Sequence, residues 1–343
     1  MNLKWRKAVI VALTVVTVAS VTGCGGLNSE TASAGGEAKP YHLRIGYSPS
    51  LCQSALFAAY ENGYFKEEGL DPEMVQIDAA HAGDAIAADQ VDVLQGLASK
   101  MVQPLENGLP VKVTGGLHTG CIKILVPKDS TIQSVEDLKG KKVGVSGLAD
   151  SATMIAKRAL SAKGVGVTEK NMEVEFSVFS RNDLPQALQK GAVDAIAVTD
   201  PVGPVAAKQY GLRTILDTAK DAPFKDEYCC VSMVTTKLAK ENPEVAEKAT
   251  RAILRGAAWV QAHPDEAVKL GLDKKYVAGN QELNASLIKS YSFKPSVQGG
   301  YDALKACTEE LAKIGLVKAD TNAQKLTDDS FQKFKGLEDS PSA

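Results

Sequence analysis

The side chains able to do chemistry in this chain are cysteines, hydroxyls, a few carboxylates and histidines, and they gather on short loops. Ser50 and Gln53 stand at capping-box spacing, and the free backbone N–H groups of such a helix start can also hold an anionic or polar group. Asp150, Ser151 and Thr153 open a second helix. Asp150 or Ser151 reads as its N-cap, and the Ser151 and Thr153 hydroxyls with the local amides make another polar cradle. His81 lies in the loop 78–83, and Gly120 and Cys121 close the glycine-rich run 115–121. Asp200 precedes Pro201, with capping of the next helix as its ordinary role, and Tyr228-Cys229-Cys230 opens a strand-like run. No nucleophile paired with a general base, and no zinc-ligand spacing, stands out. These residues offer noncovalent recognition of a small polar group, and none is assigned as catalytic.

Such loops need a scaffold. Short β-rich runs alternate with amphipathic helical runs, which argues an α/β fold with largely parallel sheets. Strands are expected at 43–47, 73–77, 91–94, 111–117 and 122–126, then at 142–145, 174–179, 193–198, 214–217 and 229–235. Helices are expected at 53–62, 83–89, 151–163 and 184–190, and almost continuously beyond 243. The segment 85–93 parallels 187–195: each has a helix end, a polar turn and an apolar strand interrupted by an aspartate, Asp92 or Asp194. This suits two similarly built lobes, whose ligands would lie beyond the carboxyl ends of the strands.

The N-terminus reads as an address. Lys4, Arg6 and Lys7 precede an apolar stretch, 8–21, too short to span a bilayer comfortably, and Val21-Thr22-Gly23-Cys24 reads as a lipoprotein cleavage site. Residues 1–23 are then a signal peptide, and a lipid on Cys24 anchors the chain outside the cytoplasmic membrane. Residues 24–40, rich in Gly, Ser, Ala and Glu, form a flexible tether with a reach of roughly 20 Å. The remainder exceeds one comfortable core and ends in a polar tail, 336–343. Loss of the three basic leader residues takes the formal charge from -2 to about -5, and no basic cluster suits nucleic acid. Of six cysteines, lipidation of Cys24 leaves five, an odd number that excludes a complete internal disulfide framework.

The run 55–70 (ALFAAYENGYFKEEGL) resembles the first-helix signature of substrate-binding proteins of ABC importers. The branch is the SsuA/THI5-like (NMT1-like) one, which includes sulfonate, taurine, nitrate and thiamine-precursor binders. Similarity continues in family order through 137–145 (DLKGKKVGV) and from Val193-Asp194-Ala195 to Asp200-Pro201, covering roughly residues 41–260. The resemblance implies a type II periplasmic-binding fold, two α/β lobes joined by crossovers near 120–126 and 227–232. Lobe one would combine 41–121 with 231–335, and lobe two would hold 122–230. It further implies an extracytoplasmic, monomeric, noncatalytic protein without cofactor or metal. Such a protein captures a small polar solute between closing lobes for a membrane permease and its ATPase.

Ligand-facing positions implied in this way are Ser50, Cys52, Gln53, His81, Gly120, Cys121, Asp150, Ser151, Thr153, Asp200, Tyr228 and Cys229. Arg181 and Arg213 are the nearest basic side chains to the lobe-two loops, but neither clearly enters the site, so a sulfonate would rest on helix N-termini and hydroxyls. Cys52, Cys121 and Cys229 or Cys230 map to cleft or hinge loops. A disulfide such as Cys121 with Cys229 suits an oxidising compartment, and a soft metal or a thiol-containing ligand is the alternative. Strand alternation would turn one of Cys229 and Cys230 to ligand and bury the other. Cys307, on one helical face with Leu304, Leu311 and Ile314, reads as a buried small hydrophobe. The same branch holds enzymes of pyrimidine-precursor synthesis with a dense cysteine cluster, which here is matched only by Tyr228-Cys229-Cys230. A lipid-tethered sensor would use the same cleft.

Overall fold

Twelve strands build the scaffold in the computed structural model, which describes residues 39–78 and 81–342. The signal peptide, Cys24 and nearly all of the tether lie outside the described residues. In chain order the strands are β1 (Tyr41–Tyr47), β2 (Leu70–Gln76), β3 (Val93–Leu97), β4 (Val111–His118), β5 (Ile122–Val126) and β6 (Lys142–Val145). They continue as β7 (Val167–Thr168), β8 (Asn171–Met172), β9 (Glu175–Val178), β10 (Ala195–Thr199), β11 (Arg213–Asp217) and β12 (Cys230–Thr235). One five-stranded sheet has the order β2-β1-β3-β12-β4 and the other β11-β5-β10-β6-β9, with β7 and β8 forming a small separate pair.

The sheets are mixed, where the sequence pattern suggested largely parallel ones. Parallel pairing joins β1 to β2 and β3, and β6 to β9 and β10. Every antiparallel pairing within the two large sheets involves β5 or β12. These are the first strands after each passage of the chain from one sheet to the other, where it arrives without the covering helix that a parallel neighbour needs. Both are buried at every position, as strands covered on two faces are, although Lys123 interrupts the apolar run of β5 and Ser232 and Thr235 that of β12.

The internal similarity has a physical meaning. Asp92 Oδ2 accepts the Arg44 backbone N–H of β1 at 2.8 Å, and Asp194 Oδ2 accepts the Lys142 N–H of β6 at 2.8 Å. Each aspartate thus takes up a backbone N–H one residue before the neighbouring parallel pairing begins, that of β1 with β3 at Ile45 and that of β6 with β10 at Val143.

Helices follow the expected places after 243, with Pro243–Ala262, Pro264–Asp273, Gln281–Ser290, Val297–Lys313 and Ala323–Ser330. The helix Ala98–Glu106, which contains Pro104, was not anticipated, while the helix expected after Asp200-Pro201 is Val202–Tyr210, with no side-chain cap from Asp200. Pro204 lies in the first turn of the latter, where the missing N–H has no helical partner to lose. The first expected helix starts as a 3-10 turn, Leu51–Gln53, before Ser54–Glu61. Among the described residues no helix is long and apolar enough to cross a membrane.

Candidate functional site

Four sulfurs and an imidazole converge where the chain passes between the sheets. Cys52 comes from the turn after β1, His118 from the end of β4, Cys121 from the link to β5, and Cys229 and Cys230 from the return into β12. The ligand atoms of Cys52, Cys121 and Cys230 lie within 4.8 Å of one another, as do those of His118, Cys229 and Cys230. Cys121 Sγ and Cys229 Sγ are 3.4 Å apart, and all five described cysteines are free thiols. The side chains of Cys229 and Cys230 reach the same group, against the expectation of opposite faces. β12 begins only at Cys230, so strand alternation does not govern Cys229.

Backbone and side-chain contacts hold this group. Cys121 has φ 91°, a left-handed conformation costing a non-glycine residue about 1–3 kcal/mol. Its carbonyl accepts from Asp200 N at 2.8 Å, while Cys229 bonds His118 O through its N–H and Ala98 N through its carbonyl. The Cys52 carbonyl lies 2.6 Å from Gln95 Nε2 and 3.1 Å from His118 Nε2. Hydrogen bonds from Cys121 and Cys230 hold the Cys52 thiol well below its ordinary pKa, while burial pushes Cys229 well above.

A second group adjoins the first. Lys123 Nζ lies 2.6 Å from Asp200 Oδ2 and 3.5 Å from Asp217 Oδ1, and the Tyr291 hydroxyl donates to Asp200 Oδ2 at 2.7 Å. Burial raises the Asp200 carboxyl to about 6 against the pull of Lys123 and Tyr291. Lys123, opposed by its own burial, is still raised, because it faces Asp217 as well as Asp200. The Tyr291 ring stacks on His118 at 5.4 Å and so ties the two groups together.

A third group is ionic. Arg158 Nη2 donates to both Glu227 carboxylate oxygens, at 3.0 and 2.8 Å, and Arg158 Nη1 approaches Cys307 Sγ at 3.6 Å. Between these groups lies a cavity of about 20 Å³ lined by Ile122, Arg158, Thr218, Glu227, Tyr228 and Cys229, among others. It has room for a single water.

The sequence-derived site residues divide. Cys52, Cys121 and Cys229 come together, and Asp200 joins them through the Cys121 carbonyl. Gly120, at φ 85°, adjoins them by necessity, since a Cβ there would come within 2.9 Å of Ala219 and 3.0 Å of Tyr291. Tyr228 lines the cavity, and its hydroxyl donates to the Lys294 carbonyl. Ser50 accepts from Cys52 N at 3.3 Å, whereas Gln53 turns to Ser48 N at 3.0 Å, so the capping box is not closed. Asp150 caps the helix Ser151–Ala162 through Ser151 N, and Thr153 donates to the Gly147 carbonyl. Ser151 is fully buried. His81 is exposed beside Asp84 at 3.1 Å. Arg181 and Arg213 bond backbone carbonyls, of Asp200 and Ile132 respectively among others. Cys307 is buried as expected, and burial pushes its thiol to about 11.

Sequence reasoning missed Lys123, Arg158, Glu227 and Tyr291. The only signal for the first two was a cation inside an apolar run, Ile-Lys-Ile-Leu-Val and Met-Ile-Ala-Lys-Arg-Ala-Leu.

Two mixed sheets linked by two chain passages, with buried polar groups gathered at those passages, define the two-lobed type II periplasmic-binding fold. The periplasmic aliphatic sulphonate binding protein SsuA from Escherichia coli shares it, with TM-score 0.69 and 18% identity over 83% of this chain and 97% of that one. The chain belongs to the NMT1/THI5-like family, whose profile matches residues 53–267. Among relatives, a Bacillus subtilis (strain 168) protein provisionally named an aliphatic sulfonates-binding protein is 26% identical over 284 residues, 79% of this chain and 81% of its own. A Haemophilus influenzae protein provisionally named a thiamine biosynthesis protein is 28% identical over 243 residues, 67% and 72% of the two chains.

Proposed function

We propose that the chain is the extracytoplasmic solute-binding component of an ABC importer, with lobes 41–121 plus 231–335 and 122–230. It captures a small polar organic solute of the sulfonate, nitrate or thiamine-pyrimidine kind and delivers it to a permease and its ATPase without altering it. One observation carries the reading beyond family membership. Gln95 Oε1, Ser151 Oγ and Asp200 Oδ1 are buried oxygens without a hydrogen-bond partner. They stand in β3, in the first turn after β6 and directly after β10, near the carboxyl ends of parallel strands of both sheets. Buried polar atoms are normally satisfied, so three orphans from two lobes call for a polar ligand between them. None of the three lines the cavity of about 20 Å³ beside Cys229, so on this reading the lobes part to admit the solute and close on it.

A thermal-shift screen of alkanesulfonates, nitrate and aminopyrimidines tests this. A true ligand at 100 times its Kd stabilises the folded state by about 2.7 kcal/mol, which raises Tm by about 5 °C for a chain of this size. Absence of a shift across all three classes would sink the proposal.

The lipid on Cys24 is a separate element of the same reading, supported by the charged and apolar leader before it. Cys24→Ser is expected to move the protein from the membrane to the soluble fraction with its melting temperature and ligand shift unchanged. A variant that stays with the membrane removes the anchor from the proposal.

A further inference from the structure

We propose that Cys52, Cys121 and Cys230, with Cys229 or His118 closing the set, bind one thiophilic metal ion, Zn(II) or Cu(I), at the junction of the two lobes. The sequence shows no zinc-ligand spacing and leaves a soft metal only as an alternative at these cysteines; the fold supplies what spacing did not. Five soft or borderline donors from four separate segments meet in two overlapping triads that share Cys230, each within 4.8 Å. A tetrahedral site with metal–sulfur distances of about 2.3 Å has sulfur–sulfur edges of about 3.8 Å, and Cys121 and Cys229 already stand at 3.4 Å. Thiols kept merely as small hydrophobes need no such convergence, and a disulfide needs only two of them.

The surroundings suit a metal rather than loose thiols. Cys121 is held at φ 91° by the Asp200 hydrogen bond to its carbonyl, so a strained backbone aims this one sulfur inward. Gln95 and His118 meet the Cys52 carbonyl and fix the turn that carries its sulfur, the kind of support that orients ligands. Tyr291 and Phe293 stack against His118 at 5.4 and 4.5 Å and keep water from that side. The cavity beside Cys229 is the nearest route of entry. Thiolate is the ligating form, so each thiol releases its proton to solvent as the ion binds, and uptake weakens on acidification. Since Cys121 and Cys230 lie on the two passages between the sheets, the ion would also fasten the closed arrangement.

The full chain, reduced and stripped of metal under anaerobic conditions, is titrated with Zn(II) alone and with Cu(I) alone against a competing chromophoric chelator. One equivalent is expected to bind, and X-ray absorption of the loaded protein is expected to show three or four sulfur scatterers. Cys230→Ala, which breaks both triads, is expected to weaken binding at least a hundredfold, and Cys307→Ala, which lines the neighbouring cavity but belongs to neither triad, to leave it unchanged. Melting of each variant without metal separates lost ligation from lost folding, and the absorption spectrum of the unmutated protein needs no variant. No uptake of either ion, a shell of oxygen and nitrogen only, unchanged affinity in a folded Cys230→Ala, or a Cys121 to Cys229 disulfide forming in air despite bound metal would each overturn the proposal. Zn(II) without Cu(I), or the reverse, names the ion. None of these readings depends on which organic solute the cleft takes.

Discussion

Lys123→Met is expected to lower the stability of the folded chain by about 3–5 kcal/mol at pH 7.5 and by about 1 kcal/mol or less at pH 5. Methionine keeps most of the lysine stem's volume, so the loss is one of charge. In the native protein Lys123 and Asp200 are 8% and 0% exposed, and without the ammonium the Asp200 carboxylate is left with Tyr291 alone. The pH term follows from the carboxyl itself. Burial raises Asp200 to about 6 from an ordinary 3.8 even with Lys123 in place, so the folded chain holds this proton more tightly than the unfolded one. Stability from such a group is fully present below the unfolded value and is lost as pH rises through the folded one, here about 3 kcal/mol across pH 4 to 7. Removing Lys123 raises the carboxyl further, so at pH 5 it is protonated and the variant carries no unpaired charge. Urea unfolding at the two pH values reads the difference, and an equal loss at both would mean that Lys123 acts through packing alone.

That ion pair also shows where sequence reasoning stops. Patterns set by a strand or helix on its own were legible: β5 and β6 fall where the apolar runs 122–126 and 142–145 place them. So were Asp150 as a cap and the repeated aspartates, since each acts through backbone close to its own element. Partnerships across the fold were not. Tyr291 meets Asp200 over 91 residues and His118 meets Cys52 over 66, and neither separation leaves a periodic trace. Of two histidines near the ends of elements, His81 is exposed beside Asp84 and His118 is fully buried among thiols. The difference is that 118 ends a central strand while 81 starts a short surface helix. Gly115 and Gly116 lie in β4, within the strand expected at 111–117. Gly116 makes room for the Tyr228 ring, which a Cβ would approach to 2.5 Å.

A glycine far from the thiols decides where one of them stands. Gly256→Val is expected to destabilise the chain by about 4 kcal/mol, the upper range for overpacking a core. The helix Pro243–Ala262 crosses Ser54–Glu61 at this residue, and a Cβ on Gly256 would lie 2.1 Å from the Ala55 carbonyl oxygen and 3.0 Å from Ala59 N. Those two atoms are partners in one turn of the shorter helix, so the intruding carbon meets backbone that moves only if the whole helix moves. Helix propensity does little to offset this, since valine improves on glycine by only a few tenths of a kcal/mol. The shorter helix is continuous with the turn Leu51–Gln53, so displacing it carries Cys52 away from Cys121 and Cys230. Thiol labelling of the folded variant is therefore expected to quicken at Cys52 ahead of Cys307, in parallel with the loss in urea midpoint. Ala59→Gly in the same background removes the Cβ that would lie 2.9 Å away but leaves the Ala55 oxygen, and should recover little. Full recovery would show that the Ala59 methyl, not the backbone of the first helix, sets the spacing on which the thiol group depends.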